Sequence, residues 1–137
     1  RLLNPPKPGD KYRPDRAGLG NHVFMADPDA GWSASRVLVV EGEIKAMVVY
    51  QTLDDPAIQV IGIPGKTAAQ QVIAALGDGG RDVVICLDPD AQDESQSLAR
   101  QVGGRWVTLA DKIDDGIISG DITKAGLRFL LGYARRK

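Results

Sequence analysis

Cysteine and histidine are almost missing from this sequence: each occurs once, as Cys86 and His22. One cysteine forms no internal disulfide, and one thiol with one imidazole makes zinc improbable. Hard-cation binding by oxygen ligands is the metal chemistry that is left. Cys86 lies in the apolar run Val83 to Leu87, where a free cysteine behaves as a small buried hydrophobe. A lone histidine is more often structural or solvent-facing than catalytic. Long apolar runs are missing too. None approaches the roughly 20 residues that span a bilayer, and no signal peptide is visible. A cytoplasmic protein with no membrane partner is the expectation. The chain starts at Arg1 without a Met, and a fragment of something longer is one reading of that. Excess charge of one sign is absent as well. The net charge is −1, so no global basic field draws nucleic acid, and any such contact must come from a local patch.

The 137 residues, 43% of them hydrophobic, suit one domain with a core of ordinary size. A soluble enzyme of unspecified substrate fits this composition equally well. Residues 1–35 are rich in Pro, Gly, Asp and Arg and read as an arm or as the end of a preceding domain, with a short strand at His22 to Met25. From Arg36 the pattern changes. Val37-Leu38-Val39-Val40 is a continuous β-branched run, the mark of a strand buried on both faces. Further strands are expected at Ile58 to Ile63, Asp82 to Leu87 and Arg105 to Leu109. Helices are expected at Ile44 to Leu53, Ala68 to Leu76, Asp93 to Val102 and Ile122 to Arg135, the last capped by Asp121. Asp111 to Gly120 reads as a loop. In the last helix Leu127, Leu130 and Leu131 share roughly one face, for docking on the core or on a partner, the core being commoner. Strands alternating with helices argue for an α/β fold, a parallel sheet of about four strands with helices on both faces, over residues 36–137.

In such folds ligands sit outside the carboxyl ends of the strands. That rule picks out acidic residues. Glu41 ends the first of the four strands, Asp88-Pro89-Asp90 follows the third, and Asp111, Asp114 and Asp115 follow the fourth. Each has a bland reading. Asp-Pro-Asp is good turn chemistry. Glu43 suits a helix N-terminus. The segment Lys112-Ile113-Asp114-Asp115 makes an ordinary solvated loop. The conjunction is more specific than its parts, because phosphoryl transfer needs such a cluster to hold a hard cation. Gly62-Ile63-Pro64-Gly65-Lys66-Thr67 imitates a nucleotide P-loop, but the required earlier glycine is Val60. A turn closing the second strand is the better reading, with backbone N–H groups available to a phosphate. A phosphatase Asp-x-Asp is expected after a first strand, whereas this one follows the third.

Val37-Leu38-Val39-Val40-Glu41-Gly42-Glu43 resembles the first motif of the toprim family, shared by bacterial-type primases, type IA and II topoisomerases and some nucleases. Asp88-Pro89-Asp90 resembles its Asp-x-Asp motif. The likeness covers about residues 36–118. It is nearest to toprim domains of phage, plasmid and other mobile-element proteins, often fused to helicases, where Glu-Gly-Glu is followed by Lys-Ala as in Lys45-Ala46. A Lys-x-x-Asp-Asp-like loop (Lys112 to Asp115) and an upstream Lys-Tyr pair (Lys11-Tyr12) also match. The resemblance implies a toprim, Rossmann-like fold. It implies Glu41 as acid/base or shaper of the metal site, Asp88 and Asp90 holding Mg²⁺ or Mn²⁺, and Asp115 with Asp114 completing the cluster. The chain departs from cellular primases at Gln92-Asp93, where they have Ala-Gly, and at Ile113, where they have an acid. The number of cations is therefore open. No zinc ribbon and no helicase motor is present.

The expected activity is DNA primase-like nucleotidyl transfer, joining nucleoside triphosphates on a single-stranded DNA template during replication. Cations expected to meet nucleic acid or nucleotide are Lys45, Lys66, Lys112, Arg13 and Arg16. Lys11, Arg135, Arg136 and Lys137 are further candidates, and ordinary solubility charge explains these arm and tail clusters as well. Two alternatives use the same residues: strand cleavage, for which Tyr12, Tyr50 and Tyr133 offer no marked nucleophile, and a non-catalytic module that binds nucleic acid, a helicase or another replication protein.

Overall fold

The computed structural model describes residues 23–64, 69–77, 81–133 and 135–136. Two apolar runs form its centre: β2 (Arg36–Glu41) and β3 (Ile58–Ile63). All of β3 and residues 37–40 of β2 are buried, as strands covered on both faces must be. β4 (Asp82–Cys86) and the short β5 (Arg105–Trp106) extend the sheet. β1 (Phe24–Met25) and β6 (Arg135–Arg136) close its edges, so the order is β1-β3-β2-β4-β5-β6. The four inner strands are parallel and both edge pairs are antiparallel. The expected four-stranded parallel core is present, flanked by β1, within the strand expected at His22 to Met25, and by β6, which was not expected.

Side chains alternate between the faces. Val37, Val39, Ile61, Ile63, Val83 and Ile85 pack with Val72 and Leu76 of α2 (Ala69–Leu76) and Leu98, Ala99 and Val102 of α3 (Gln92–Val102). Leu38, Val40, Val60, Val84 and Cys86 pack with α1 (Glu43–Leu53), α4 (Ile113–Ser119) and α5 (Lys124–Tyr133). Leu127 and Leu131 of α5 are buried in this second cluster, so the last helix docks on the core. The side chain of Leu130 lies outside the described residues.

One element and several boundaries are corrected. The segment from Asp111 to Gly120 contains α4, because Ile113 and Ile117 reach the core and Gly120 ends the helix in the left-handed region at φ 88°. The last helix starts at Lys124, not Ile122, and Thr123 rather than Asp121 caps it: its Oγ1 accepts the Gly126 N–H at 3.1 Å. The helix ends at Tyr133, since Arg135 and Arg136 pair with Trp106 and Arg105 as a strand. The strand expected to reach Leu109 stops at Trp106.

Two polar clusters hold the sheet away from the acidic edge. Asp82 takes Arg36 at 2.8 Å and Arg105 at 3.0 Å, joining the starts of β2, β4 and β5. Partial burial pushes its carboxyl pKa up, but the two guanidinium groups outweigh that and hold it below the usual carboxylate value. Gln59 is 1% exposed in β3. Its amide accepts the Asp27 N–H at 2.9 Å and donates to the carbonyls of Asp27 at 2.7 Å and Gly31 at 2.9 Å, fixing the segment after β1.

Candidate functional site

The strand order singles out one point on the sheet's carboxyl edge. The chain leaves β2 toward β3 on one side and leaves β4 toward β5 on the other. Parallel neighbours whose exits diverge open a crevice between them, the usual ligand site of such sheets. Glu41 is the last residue of β2, and Asp88 lies two residues past the end of β4. The Asp88 N–H donates to Glu41 Oε1 at 3.3 Å. Lys45, in the first turns of α1, brings its ammonium to 3.5 Å from Asp88 Oδ1. Asp88 thus joins Glu41 through its backbone and Lys45 through its carboxylate, at the crevice.

Local structure explains the positions. After Glu41 the chain turns at Gly42, with φ 93°, a conformation that L side chains rarely adopt. The Gly42 N–H donates to the Ile63 carbonyl at 2.7 Å, and its own carbonyl accepts the Ala46 N–H at 3.2 Å. Gly62 of β3 makes room for that turn: a Cβ there would stand 2.5 Å from the Gly42 oxygen. On the other side of the crevice Ser95, buried in the first turn of α3, accepts the Leu87 N–H at 3.2 Å. Asp88 is extended, and Pro89–Ala91 form one 3-10 turn leading into α3. Gly62 and Ser95 were not signalled as site residues by the sequence. A glycine inside an apolar strand was the available signal for Gly62.

The remaining expected residues are spread more widely. Asp90 is exposed on the 3-10 turn, and Asp115 is exposed in the first turn of α4. Asp114 is half-buried there, and its Oδ1 is enclosed with no hydrogen-bond partner. Asp111 and Lys112 are exposed ahead of α4. Among the described residues no group of three or more His, Cys, Asp or Glu side chains converges to hold a metal ion. Lys11, Tyr12, Arg13, Arg16, His22, Lys66 and Lys137, and the side chains of Tyr133, Arg135 and Arg136, lie outside the described residues. Cys86 is buried, and burial, with the Asp88 charge added, pushes its thiol up to about 12. It is an inert packing residue, in keeping with its apolar sequence context.

A cavity of about 140 Å³ lies between α2 and α3, lined by Ile63, Ile73, Leu87 and Leu98 among others. Neither carboxylate of the crevice lines it. Among the described residues no helix is long and apolar enough to cross a membrane.

No family model and no curated protein matches the chain. A solved structure of bacteriophage T7 lagging-strand DNA polymerase interacting with primase domains of two gp4 subunits, bound to an RNA/DNA hybrid and dTTP, does contain a similar chain, with a TM-score of 0.55 at 16% identity. The match covers 75% of this chain and 56% of that one, so this chain spans little more than half of its neighbour's length. At such low identity the likeness concerns the backbone, and what it shows is that this protein shares its α/β fold with a chain of that phage replication complex.

Proposed function

We propose that the protein is the toprim-type catalytic domain of a DNA primase-like protein, joining nucleoside triphosphates on a single-stranded DNA template by cation-dependent nucleotidyl transfer. The observation that carries this reading is the meeting of Glu41 and Asp88 at the crevice between β2 and β4, linked at 3.3 Å. The fold shared with a chain of the phage complex that contains primase domains supports it. So does the donor chemistry. Mg²⁺ needs only one or two carboxylates when phosphates and waters supply the rest, and two carboxylates at neighbouring strand ends fit that demand. Glu41 and Asp88 would hold the ion; Asp90, Asp114 and Asp115, expected from the sequence to join them, do not converge with this pair. The ion supplies neutralisation of phosphate charge when bound.

The chain's own groups have separate tasks. Glu41, whose carboxylate accepts the Asp88 N–H, would take a proton from an attacking 3′-hydroxyl, the role that the toprim resemblance implies for it. Lys45 is a cation beside the crevice for the triphosphate or the template, and Lys112, exposed ahead of α4, is assigned the same task on sequence grounds. Lys66, Arg13 and Arg16 are assigned to template or nucleotide on sequence grounds. A helicase or another replication protein is the proposed partner.

The test is primer synthesis by the chain with Mn²⁺, nucleoside triphosphates and single-stranded DNA, following labelled dinucleotide. Glu41→Gln and Asp88→Asn should each lower its formation by about 100-fold or more, the scale of losing a positioned acid/base or charge-stabilising group. The reading fails if both variants match the wild type, or if the only product is cleaved DNA.

A further inference from the structure

Lys45 reaches across the turn at Gly42, where an added Cβ would lie 3.9 Å from its ammonium. Its Nζ stands 3.5 Å from Asp88 Oδ1, with the two side chains 17% and 14% exposed. Ion pairs on open surfaces are loose and screened by salt, whereas a pair this far withdrawn from water is screened much less. One positive charge of the chain is therefore already seated on the carboxylate to which the proposed function gives a divalent cation.

We propose that Lys45 is a tethered counter-ion on Asp88 that competes with the divalent ion and thereby sets the metal affinity of the crevice. The inference rests on the metal-site reading above. A divalent cation arriving at Asp88 meets the ammonium at close range, and the two repel. Either the ammonium swings away and its contact with Asp88 is lost, or it stays and weakens the ion's hold. In both cases the coupling between Lys45 and the metal is negative, and by linkage it acts equally in each direction. Lys45 is a positioning residue in this role: it holds Asp88 in place before the metal binds.

The experiment titrates Mn²⁺ alone into the 137-residue chain and follows free Mn²⁺ by electron paramagnetic resonance. Lys45→Met keeps the aliphatic stem and removes the charge, and it should tighten Mn²⁺ binding by about tenfold, a typical coupling between two ligands of one protein. Lys45→Gln should do the same, which guards against a packing fault peculiar to methionine. Lys45→Arg, retaining the charge, should stay near wild type. The gain should vanish when Asp88→Asn is added. If Lys45→Met and Lys45→Gln bind Mn²⁺ no better than wild type, while Asp88→Asn alone loses binding, the counter-ion role is overturned and the metal-site reading stands. A gain that persists with Asp88→Asn also overturns it, because the effect then does not act through Asp88. Absence of Mn²⁺ binding in every variant overturns both readings.

Discussion

Gln59 separates what a single residue does from what its sequence neighbourhood announces. It sits in an apolar run where a polar side chain costs desolvation unless its hydrogen bonds are made. They are made, by the backbone of Asp27 and Gly31, about 30 residues earlier. Gln59→Leu would keep the burial and leave those backbone groups without partners. The cost should be about 2–3 kcal/mol, the scale of buried polar groups left unsatisfied. Urea unfolding measures it, and a loss well below 1 kcal/mol would show that water replaces the amide. The partners lie too far off in sequence for any local pattern to predict them, and the same holds for Ser95 on Leu87 at the crevice. Glu41 and Asp88 were legible for the opposite reason. Each stands at or just past the end of a buried apolar strand, a local pattern that the sequence carries by itself. What stayed hidden was their mutual contact, which depends on β2 and β4 being neighbours.

At the scale of elements, the continuous apolar strands and the helices α1 to α3 were read well, and the short charged pieces α4 and β6 were not. Val37 to Val40 and Ile58 to Ile63 declared themselves as strands because both faces are covered. α4 was read as a loop because Asp114, Asp115 and Gly116 are poor helix formers. Its packing on α1 and the core outweighs that propensity. β6 was missed because an arginine pair at a sheet edge carries no hydrophobic signal. Gly62 shows how one element constrains the next. Val40 of β2 is its register partner, and the first turn of α1 lies directly over it. Gly62→Ala would press a methyl group against the Gly42 carbonyl, 2.5 Å away, and against Ala46 Cβ, 3.1 Å away. The backbone must shift, at a cost of about 1–3 kcal/mol for overpacking. The shift falls on the turn that carries Glu41, so primer synthesis should drop by more than the stability loss explains. Chemical denaturation beside the synthesis assay, at a temperature where the variant is fully folded, separates the two. Unchanged activity would mean that the turn gives way without moving Glu41.

The whole molecule joins a conventional scaffold to a sparsely furnished site. Covering the sheet on both faces was legible from the alternation of strands and helices. The strand order was not, and it is the order that gathers Glu41, Lys45 and Asp88 at the point where the chain's exits diverge. That arrangement has a global consequence. A ligand that binds only the folded chain stabilises it by mass action, about 2.7 kcal/mol at a hundredfold excess over its dissociation constant. For a domain of this size that corresponds to a rise in Tm of roughly 10 °C. Mn²⁺ at such an excess should therefore raise the Tm of the wild-type chain by that amount. Asp88→Asn should remove most of the rise, because the crevice loses its central carboxylate. Asp121→Asn should keep it, since Asp121 is exposed in the segment before α5 and is not one of the groups assigned to the crevice. Scanning calorimetry of the three proteins with and without Mn²⁺ distinguishes a site from diffuse attraction to acidic surface. Equal shifts in all three would assign the stabilisation to general charge screening and remove the crevice as its cause. A shift confined to proteins that retain Asp88 would tie the metal to the junction of β2 and β4.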